Sequence, residues 1–262
     1  MDSVFRSCLH YCSEQIPYLQ VRTPEQLDGI DGIILPGGES TAMGLIGTSG
    51  AGNLWESLKE FRDTKPMWGT CAGMILLAEK CIGASAVIED GQALIGGMDV
   101  LVCRNYFGSQ ISSFEMATPA PPGDDSGETY PGVFIRAPAI LTAGPGVEVL
   151  GKVVATPCRQ AAVVLQELES RIANGEDVVM MGVVDALERT EGLAYKKVVK
   201  SGVETNSEAI ELPGAADGSN ARDVICAVRK GSTLCTAFHP ELTKDTRWHA
   251  YFAKMVQDSV TK

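Results

Sequence analysis

The sequence predicts a doubly wound α/β domain built on a parallel sheet. Strand, turn and helix patterns alternate through residue 80, and this order is typical of parallel strands covered by helices. Gly32-Ile33-Ile34-Leu35 is an apolar run of the kind that forms fully buried parallel strands. Two glycine-rich turns, at 36–41 and 69–73, each follow a predicted strand. Because ligands bind at the carboxyl ends of such strands, we expect the functional site where these two turns meet.

Length and composition are those of one globular domain covering residues 1–262, and they exclude several kinds of partner. The net charge of −11 argues against nucleic acid or an anionic membrane surface. No apolar run approaches the ~18 residues of a membrane helix, and the first residues lack the pattern of a secretion signal. The 8 cysteines form no C-x-x-C pair, so we expect free thiols, no metal and a cytoplasmic protein.

The first third of the chain supplies the predicted parallel elements. Thr23 and Pro24 are suited to cap and begin a helical turn. Pro66 would stop the helix before it and precede a second buried strand. The predicted elements are a helix at 4–15, a strand at 18–21, a helical turn at 23–27, a strand at 32–35, a helix at 52–63, a strand at 65–68 and a helix at 74–80.

From residue 97 the pattern changes to shorter strands, and residues 156–222 are predicted to be an insertion that loops out. Within the insertion, apolar residues at helical spacing predict a helix that Asn174-Gly175 would end. Residues 199–222 have the composition of a flexible segment. The other predicted elements are strands at 99–104, 114–117, 133–136 and 178–181, a loop at 118–132, a hairpin of 224–228 with 233–238, and a helix from Asp245.

Gly69-Thr70-Cys71-Ala72-Gly73 has the form of a nucleophile elbow with a sulfur nucleophile. Glycines on both sides suit a tight strand-to-helix turn. The helix that follows offers free N–H groups, which favour a thiolate and can hold an oxyanion. A buried structural cysteine at a glycine-rich turn is the alternative interpretation, and this motif alone does not decide between them.

His239 and Glu241 are the other half of a possible thiol site. The pair follows a predicted strand, and alternation along an extended segment would place both side chains on one face. A carboxylate can fix the tautomer of an imidazole, and an imidazole can take the proton of a thiol. A hydrogen-bonded structural histidine is the alternative. Arg104 and Arg136 each end an apolar strand and are either solvated strand ends or guanidinium groups that bind a carboxylate.

Five motifs occur in the order seen in one family. They are Leu35-Pro36-Gly37-Gly38-Glu39-Ser40-Thr41, Gly69-Thr70-Cys71-Ala72-Gly73, Arg104-Asn105-Tyr106-Phe107-Gly108, Gly132-Val133-Phe134-Ile135-Arg136-Ala137-Pro138 and Phe238-His239-Pro240-Glu241-Leu242. Over about 18–155 and 223–260 the chain resembles the glutaminase subunits of pyridoxal 5'-phosphate synthase (the PdxT/SNO family), a branch of the class I glutamine amidotransferases. The resemblance implies a flavodoxin-like fold with a mostly parallel sheet flanked by helices.

The resemblance also implies an activity and a role for each site residue. Cys71 would attack the side-chain amide of L-glutamine, with His239 as base and acid and Glu241 orienting it. Backbone N–H groups of Gly38 and Ala72 would form the oxyanion hole. The substrate would be held by Gly38, Glu39, Ser40, Arg104, Ile135 and Arg136. The implied partner is a (β/α)8-barrel synthase subunit that receives the ammonia, and no cofactor is expected.

Two departures from the family leave other functions open. The family begins with a strand that this chain is expected to lack, and its compact members have no insertion at 156–222. A glutaminase subunit for another synthase, of the imidazole-glycerol-phosphate type, is one alternative. An inactive, truncated partner that regulates the synthase complex is the other.

Overall fold

A computed structural model describes residues 16–49, 54–83, 94–108, 113–174, 177–182, 196–200, 212–213 and 220–261. They form an α/β fold, as the sequence predicted. The helices are α1 (Ser40–Ser49), α2 (Leu54–Thr64), α3 (Ala72–Leu77), α4 (Arg159–Ala173) and α5 (Arg247–Val260). The strands are β1 (Ile33–Leu35), β2 (Met67–Thr70), β3 (Ala78–Ile82), β4 (Met98–Cys103), β5 (Ser113–Thr118), β6 (Tyr130–Ile135), β7 (Ala139–Ala143), β8 (Glu148–Ala155), β9 (Asp177–Gly182), β10 (Lys196–Lys200), β11 (Arg222–Lys230) and β12 (Thr233–Thr236).

The main sheet is mixed, which corrects the prediction of a mostly parallel sheet. Its strand order is β1-β2-β12-β11-β7-β4-β3-β9-β10, with β8 paired to β11, and β5 and β6 form a separate pair. Strands β1, β2 and β12 are parallel, and so are β3 and β4. The pairings of β11 with β12, β7 and β8 are antiparallel. For β11 and β12 the physical reason is the connection, because the short turn between them allows only antiparallel pairing.

The parallel part of the sheet positions the site. Strand β2 is buried along its whole length, with Met67 and Trp68 fully inaccessible to solvent. Helix α5 covers it, and the ring of Trp68 contacts Phe252 of that helix at a centroid distance of 5.5 Å. The carboxyl ends of β1, β2 and β12 lie side by side because Leu35 pairs with Gly69 and Thr236 pairs with Thr70. The segments that leave these three strands therefore meet at one edge.

Two predicted elements near the start of the chain differ from the structure. Residues 18–21 form no strand, and Tyr18 and Leu19 are about half exposed, because among the described residues no strand lies beside them to pair. The helix predicted to reach Lys80 ends at Leu77, and Ala78 begins β3. Good helix formers there are overridden by pairing of β3 with β4. The predicted helix at 4–15, and with it the question of a missing first strand, lies outside the described residues.

The region predicted as an insertion is partly integrated into the fold. The predicted helix and strand are present as α4 and β9, and α4 ends at its C-cap Asn174. Helix α4 buries Ala161, Leu165 and Leu168 in the core. Strand β9 pairs with the edge of β3 and extends the main sheet, so the prediction that this region simply loops out is wrong for these residues. The flexible segment predicted at 199–222 lies mostly outside the described residues.

None of the helices in the described part of the chain is both long and apolar enough to cross a membrane.

Candidate active site

One cavity at the carboxyl ends of the parallel strands brings together every residue that the sequence assigned to the site. Its volume is about 310 Å³. The predicted residues that line it are Gly38, Glu39, Ser40, Cys71, Ala72, Arg104, Ile135, Arg136, His239 and Glu241. They come from segments that are up to two hundred residues apart in sequence, so the cavity is a product of the sheet topology rather than of any single motif.

Cys71 has the strained backbone expected of a nucleophile elbow. Its φ of 49° and ψ of −105° place a side-chain-bearing residue in a region that L-residues rarely adopt. Its N–H donates to Thr236 O of the neighbouring strand at 2.9 Å. A Cβ on Gly73 would lie 2.1 Å from Leu35 O, and one on Gly69 would lie 2.6 Å from the backbone of Gly73. Gly73 is therefore required for β1 to approach the turn this closely, and Gly69 is required for β2 to pack against the start of α3.

His239 and Glu241 are in direct contact, although the predicted geometry was wrong. Residues Pro240–Leu242 form a 3-10 turn instead of continuing extended. The turn still brings His239 Nδ1 within 2.7 Å of Glu241 Oε1. The backbone N–H of His239 donates to Val133 O at 2.8 Å. The ring also packs against Gly37, where a Cβ would lie 2.3 Å from Cε1. Three segments thus fix the imidazole over the cavity.

The environment of His239 favours its protonated form. Burial acts to lower the pKa of the imidazolium, but the neighbouring Glu241 carboxylate and Cys71 thiol outweigh it and raise the pKa of His239 to about 10. Nδ1 is hydrogen-bonded to Glu241, whereas Nε2 is buried and has no hydrogen-bond partner. A thiol and an imidazole that interact in this way can exchange a proton and hold it as an ion pair. By contrast, burial raises the pKa of Cys81, Cys103 and Cys226 to about 12. Those three thiols lie outside the lining of the cavity and are suited to packing rather than to reaction.

The two predicted arginines differ in burial. The Arg104 side chain is only 6% exposed, and its Nη2 donates to Thr41 Oγ1 at 3.1 Å and lies 3.8 Å from Glu39 Oε1. Arg136 is exposed at the rim of the cavity. Arg104 Nη1 is buried and has no hydrogen-bond partner. Because a buried guanidinium N–H without a partner is costly, this atom is available for an acceptor that enters the cavity.

Sequence reasoning missed several residues that line or support the cavity. Gly37, Asn105 and Pro138 line it without having been assigned a role, and Thr41 contacts Arg104 from behind. Asn105 could have been suspected, because it lies inside one of the motifs that carried the family resemblance. In the described part of the chain, the non-glycine residues with positive φ are Cys71, Asn105 and Arg136, and all line this cavity. Backbone strain therefore marks the site independently of the motifs.

The structure is similar to a crystal structure of a glutamine amidotransferase, with a TM-score of 0.61 and 25% identity over 97% of this chain and 93% of that one. An α/β fold of this kind with a cysteine elbow facing a histidine–carboxylate pair defines a class I glutamine amidotransferase. Residues 5–177 match the SNO glutamine amidotransferase family, and the chain belongs to that family.

Named relatives agree with this assignment. The chain is 38% identical over 244 residues to the probable pyridoxal 5'-phosphate synthase subunit PDX2 of Arabidopsis thaliana, covering 92% of this chain and 76% of the relative. It is 36% identical over 243 residues to the PdxT subunit of the same synthase in Bacillus cytotoxicus, covering 92% and 84%. For the probable subunit pdx2 of Dictyostelium discoideum the identity is 31% over 272 residues, covering 98% and 86%.

Proposed function

We propose that this chain is the glutaminase subunit of a pyridoxal 5'-phosphate synthase. It hydrolyses L-glutamine to L-glutamate and ammonia, and it passes the ammonia to a barrel-shaped synthase subunit for vitamin B6 biosynthesis. The observation that carries the proposal is the shared cavity. The strained Cys71 and His239 both line it, and His239 lies 2.7 Å from Glu241. We infer the identity of the synthase from the names of the relatives, which are subunits of pyridoxal 5'-phosphate synthase.

The first half of the reaction forms a thioester. His239 takes the proton of Cys71, and the sulfur attacks the side-chain amide carbon of glutamine. The negative oxygen of the tetrahedral intermediate is held by the backbone N–H groups of Gly38 and Ala72. His239 returns its proton to the departing nitrogen, which leaves as ammonia. Glu241 keeps the ring oriented and stabilises its charged form throughout.

The second half releases glutamate. A water molecule attacks the thioester carbonyl while His239 removes its proton, and the sulfur leaves with that proton. The amino-acid end of the substrate is held by Glu39, Ser40 and Arg104, and Ile135 and Arg136 of the same cavity lining contribute to it. A guanidinium and a carboxylate are charge-complementary to the carboxylate and ammonium of glutamine. No step requires a metal or an organic cofactor.

The proposed cytoplasmic location rests on the cysteines. The described thiols at 71, 81, 103, 158, 226 and 235 are all free. A reducing compartment keeps thiols in this state, and a nucleophilic thiol requires it.

Replacement of the nucleophile tests the proposal. The chain, assembled with its synthase subunit, should release glutamate from L-glutamine, and Cys71→Ala should abolish that release. Cys226→Ala is the matched control, since this thiol is buried in β11 away from the cavity, and it should retain activity. Glutamate release by Cys71→Ala at the wild-type rate would refute the assignment. Stimulation only by a different synthase would instead identify the alternative partner.

A further inference from the structure

We propose that Thr41 is a positioning residue that holds the Arg104 guanidinium so that its Nη1 is directed to the α-carboxylate of glutamine. This inference rests on the proposed function and extends it to a residue with no role in the proposed chemistry. Thr41 is the second residue of α1, is 4% exposed, and is not part of the cavity lining. It therefore acts on substrate only through its neighbours.

The hydroxyl of Thr41 lies between a cation and an anion. Its oxygen accepts from Arg104 Nη2 at 3.1 Å. The Glu39 carboxylate accepts from the backbone N–H of Thr41 at 3.1 Å and of Ala42 at 2.6 Å. Burial acts to raise the pKa of Glu39, but these two N–H donors, the Thr41 hydroxyl and the Arg104 charge outweigh it and lower that pKa. Thr41 thus connects two residues predicted to bind the amino-acid end of the substrate.

Because of this contact, the nitrogen atoms of Arg104 differ in the partners that they have. Its backbone N–H is used by Ile82 O at 3.0 Å, and its Nη2 is used by Thr41 and approaches Glu39. Of the two terminal nitrogens of Arg104, Nη2 has a partner and Nη1 has none. A guanidinium is planar and rigid, so fixing Nη2 fixes the direction of Nη1. Without the Thr41 hydroxyl, the guanidinium would be free to rotate toward the exposed Glu39 carboxylate and away from the substrate.

The experiment is a comparison of Thr41→Val and Thr41→Ser in the assembled complex. Valine keeps the shape of threonine and removes the hydroxyl, whereas serine keeps the hydroxyl. Loss of a buried hydrogen bond to a charged group corresponds to about a tenfold effect or more. We expect Thr41→Val to raise the KM for L-glutamine about tenfold with kcat within about twofold, and Thr41→Ser to stay within about twofold in both. Thr233→Val, a buried threonine at the opposite end of the parallel strands, should leave both unchanged.

A second substrate separates positioning from general packing. L-Glutaminamide carries a neutral amide in place of the α-carboxylate, so the direction of Arg104 Nη1 should matter little for it. We expect Thr41→Val to change the KM for L-glutaminamide by less than about twofold. Equal effects on both substrates, or equal impairment of Thr41→Ser, would overturn the positioning role, as would an unchanged KM for L-glutamine.

Failure of the proposed function would be visible separately. If the wild-type complex releases no glutamate, the glutaminase assignment fails whatever Thr41 does. The positioning role is then tested by calorimetric binding of L-glutamine to Cys71→Ala with and without Thr41→Val. About tenfold weaker binding in the double variant supports it, and equal binding or no binding by either protein overturns it.

Discussion

His249 is a buried histidine whose protonation should limit the stability of this fold in acid. Its ring is 5% exposed and contacts Trp68 at a centroid distance of 5.3 Å, and its Nδ1 is buried without a hydrogen-bond partner. Burial lowers its pKa to about 4, and the negative charges of Glu241 and Asp245 oppose this only in part. In the unfolded chain the same side chain has a pKa of about 6.5.

The size and sign of the effect follow from these two values. Between pH 4 and 6.5 the unfolded chain binds more protons at this position than the folded chain does. The contribution of His249 to stability is therefore complete above pH 6.5 and is lost as the pH falls. Lowering the pH from 7.5 to 5 should remove about 2 kcal/mol from the free energy of unfolding, or about 4–8 °C in Tm for a chain of this size.

His249→Phe is the perturbation, because phenylalanine keeps an aromatic ring beside Trp68 and cannot titrate. Urea unfolding followed by tryptophan fluorescence at pH 7.5, 6 and 5 should show that the wild type loses about 2 kcal/mol more than the variant. His239 acts in the opposite direction, since its raised pKa gives a contribution that is complete below pH 6.5 and is lost as the pH rises toward 10. It is present in both proteins and cancels. Parallel pH profiles for the two proteins would refute the reasoning.

Three further substitutions test the role of Glu241, the packing around His239 and the ion pair between Asp245 and Arg247. Glu241→Gln removes the charge that orients His239, so kcat should fall about 10²–10⁴-fold. A decrease in kcat smaller than about tenfold would contradict that role. Gly37→Ala places a Cβ 2.3 Å from Cε1 of His239 and should cost about 100-fold in activity. Wild-type activity of a variant with a normal Tm would disprove the close fit. Burial acts to raise the pKa of Asp245, but hydrogen bonds from Arg247 outweigh it and lower that pKa. Arg247→Ala should therefore lower Tm at neutral pH, and the difference from wild type should shrink as the pH falls below about 3.8, whereas a constant difference would exclude an electrostatic cause.

The site was more predictable than the fold because its signals are local. A cysteine between glycines, two glycines after a strand, and a histidine two residues before a carboxylate are short patterns with a direct chemical reading. The sheet topology then brought all of them to one cavity. Their catalytic and binding roles stay predictions until the variants are measured.

The parts that failed depend on partners distant in sequence. Residues 18–21 have the composition of a strand, but no described strand pairs with them. Ala78–Ile82 follows a helix without a break, and only pairing with β4 and β9 turns it into a strand. The 3-10 turn at Pro240–Leu242 replaced an extended segment, yet the predicted contact survived because a turn also brings residues two apart together. Thr41 lies inside one of the motifs that carried the resemblance, but its contact with Arg104 gave no signal because the two residues are 63 positions apart in sequence.

The strain at the cavity is supported by contacts that the motifs do not contain. Residues held at positive φ cost about 1–3 kcal/mol each, so other interactions must stabilise them. The loop of Asn105 is tied to the segment after β6 by the bond from Phe107 N to Ala137 O at 3.2 Å. It is tied to the start of α4 by two contacts of Cys158, from its N–H to Tyr106 O at 2.8 Å and from its thiol to Asn105 O at 3.2 Å. The helix predicted as part of an insertion therefore braces the wall that carries Arg104, and its first turn belongs to the support of the site.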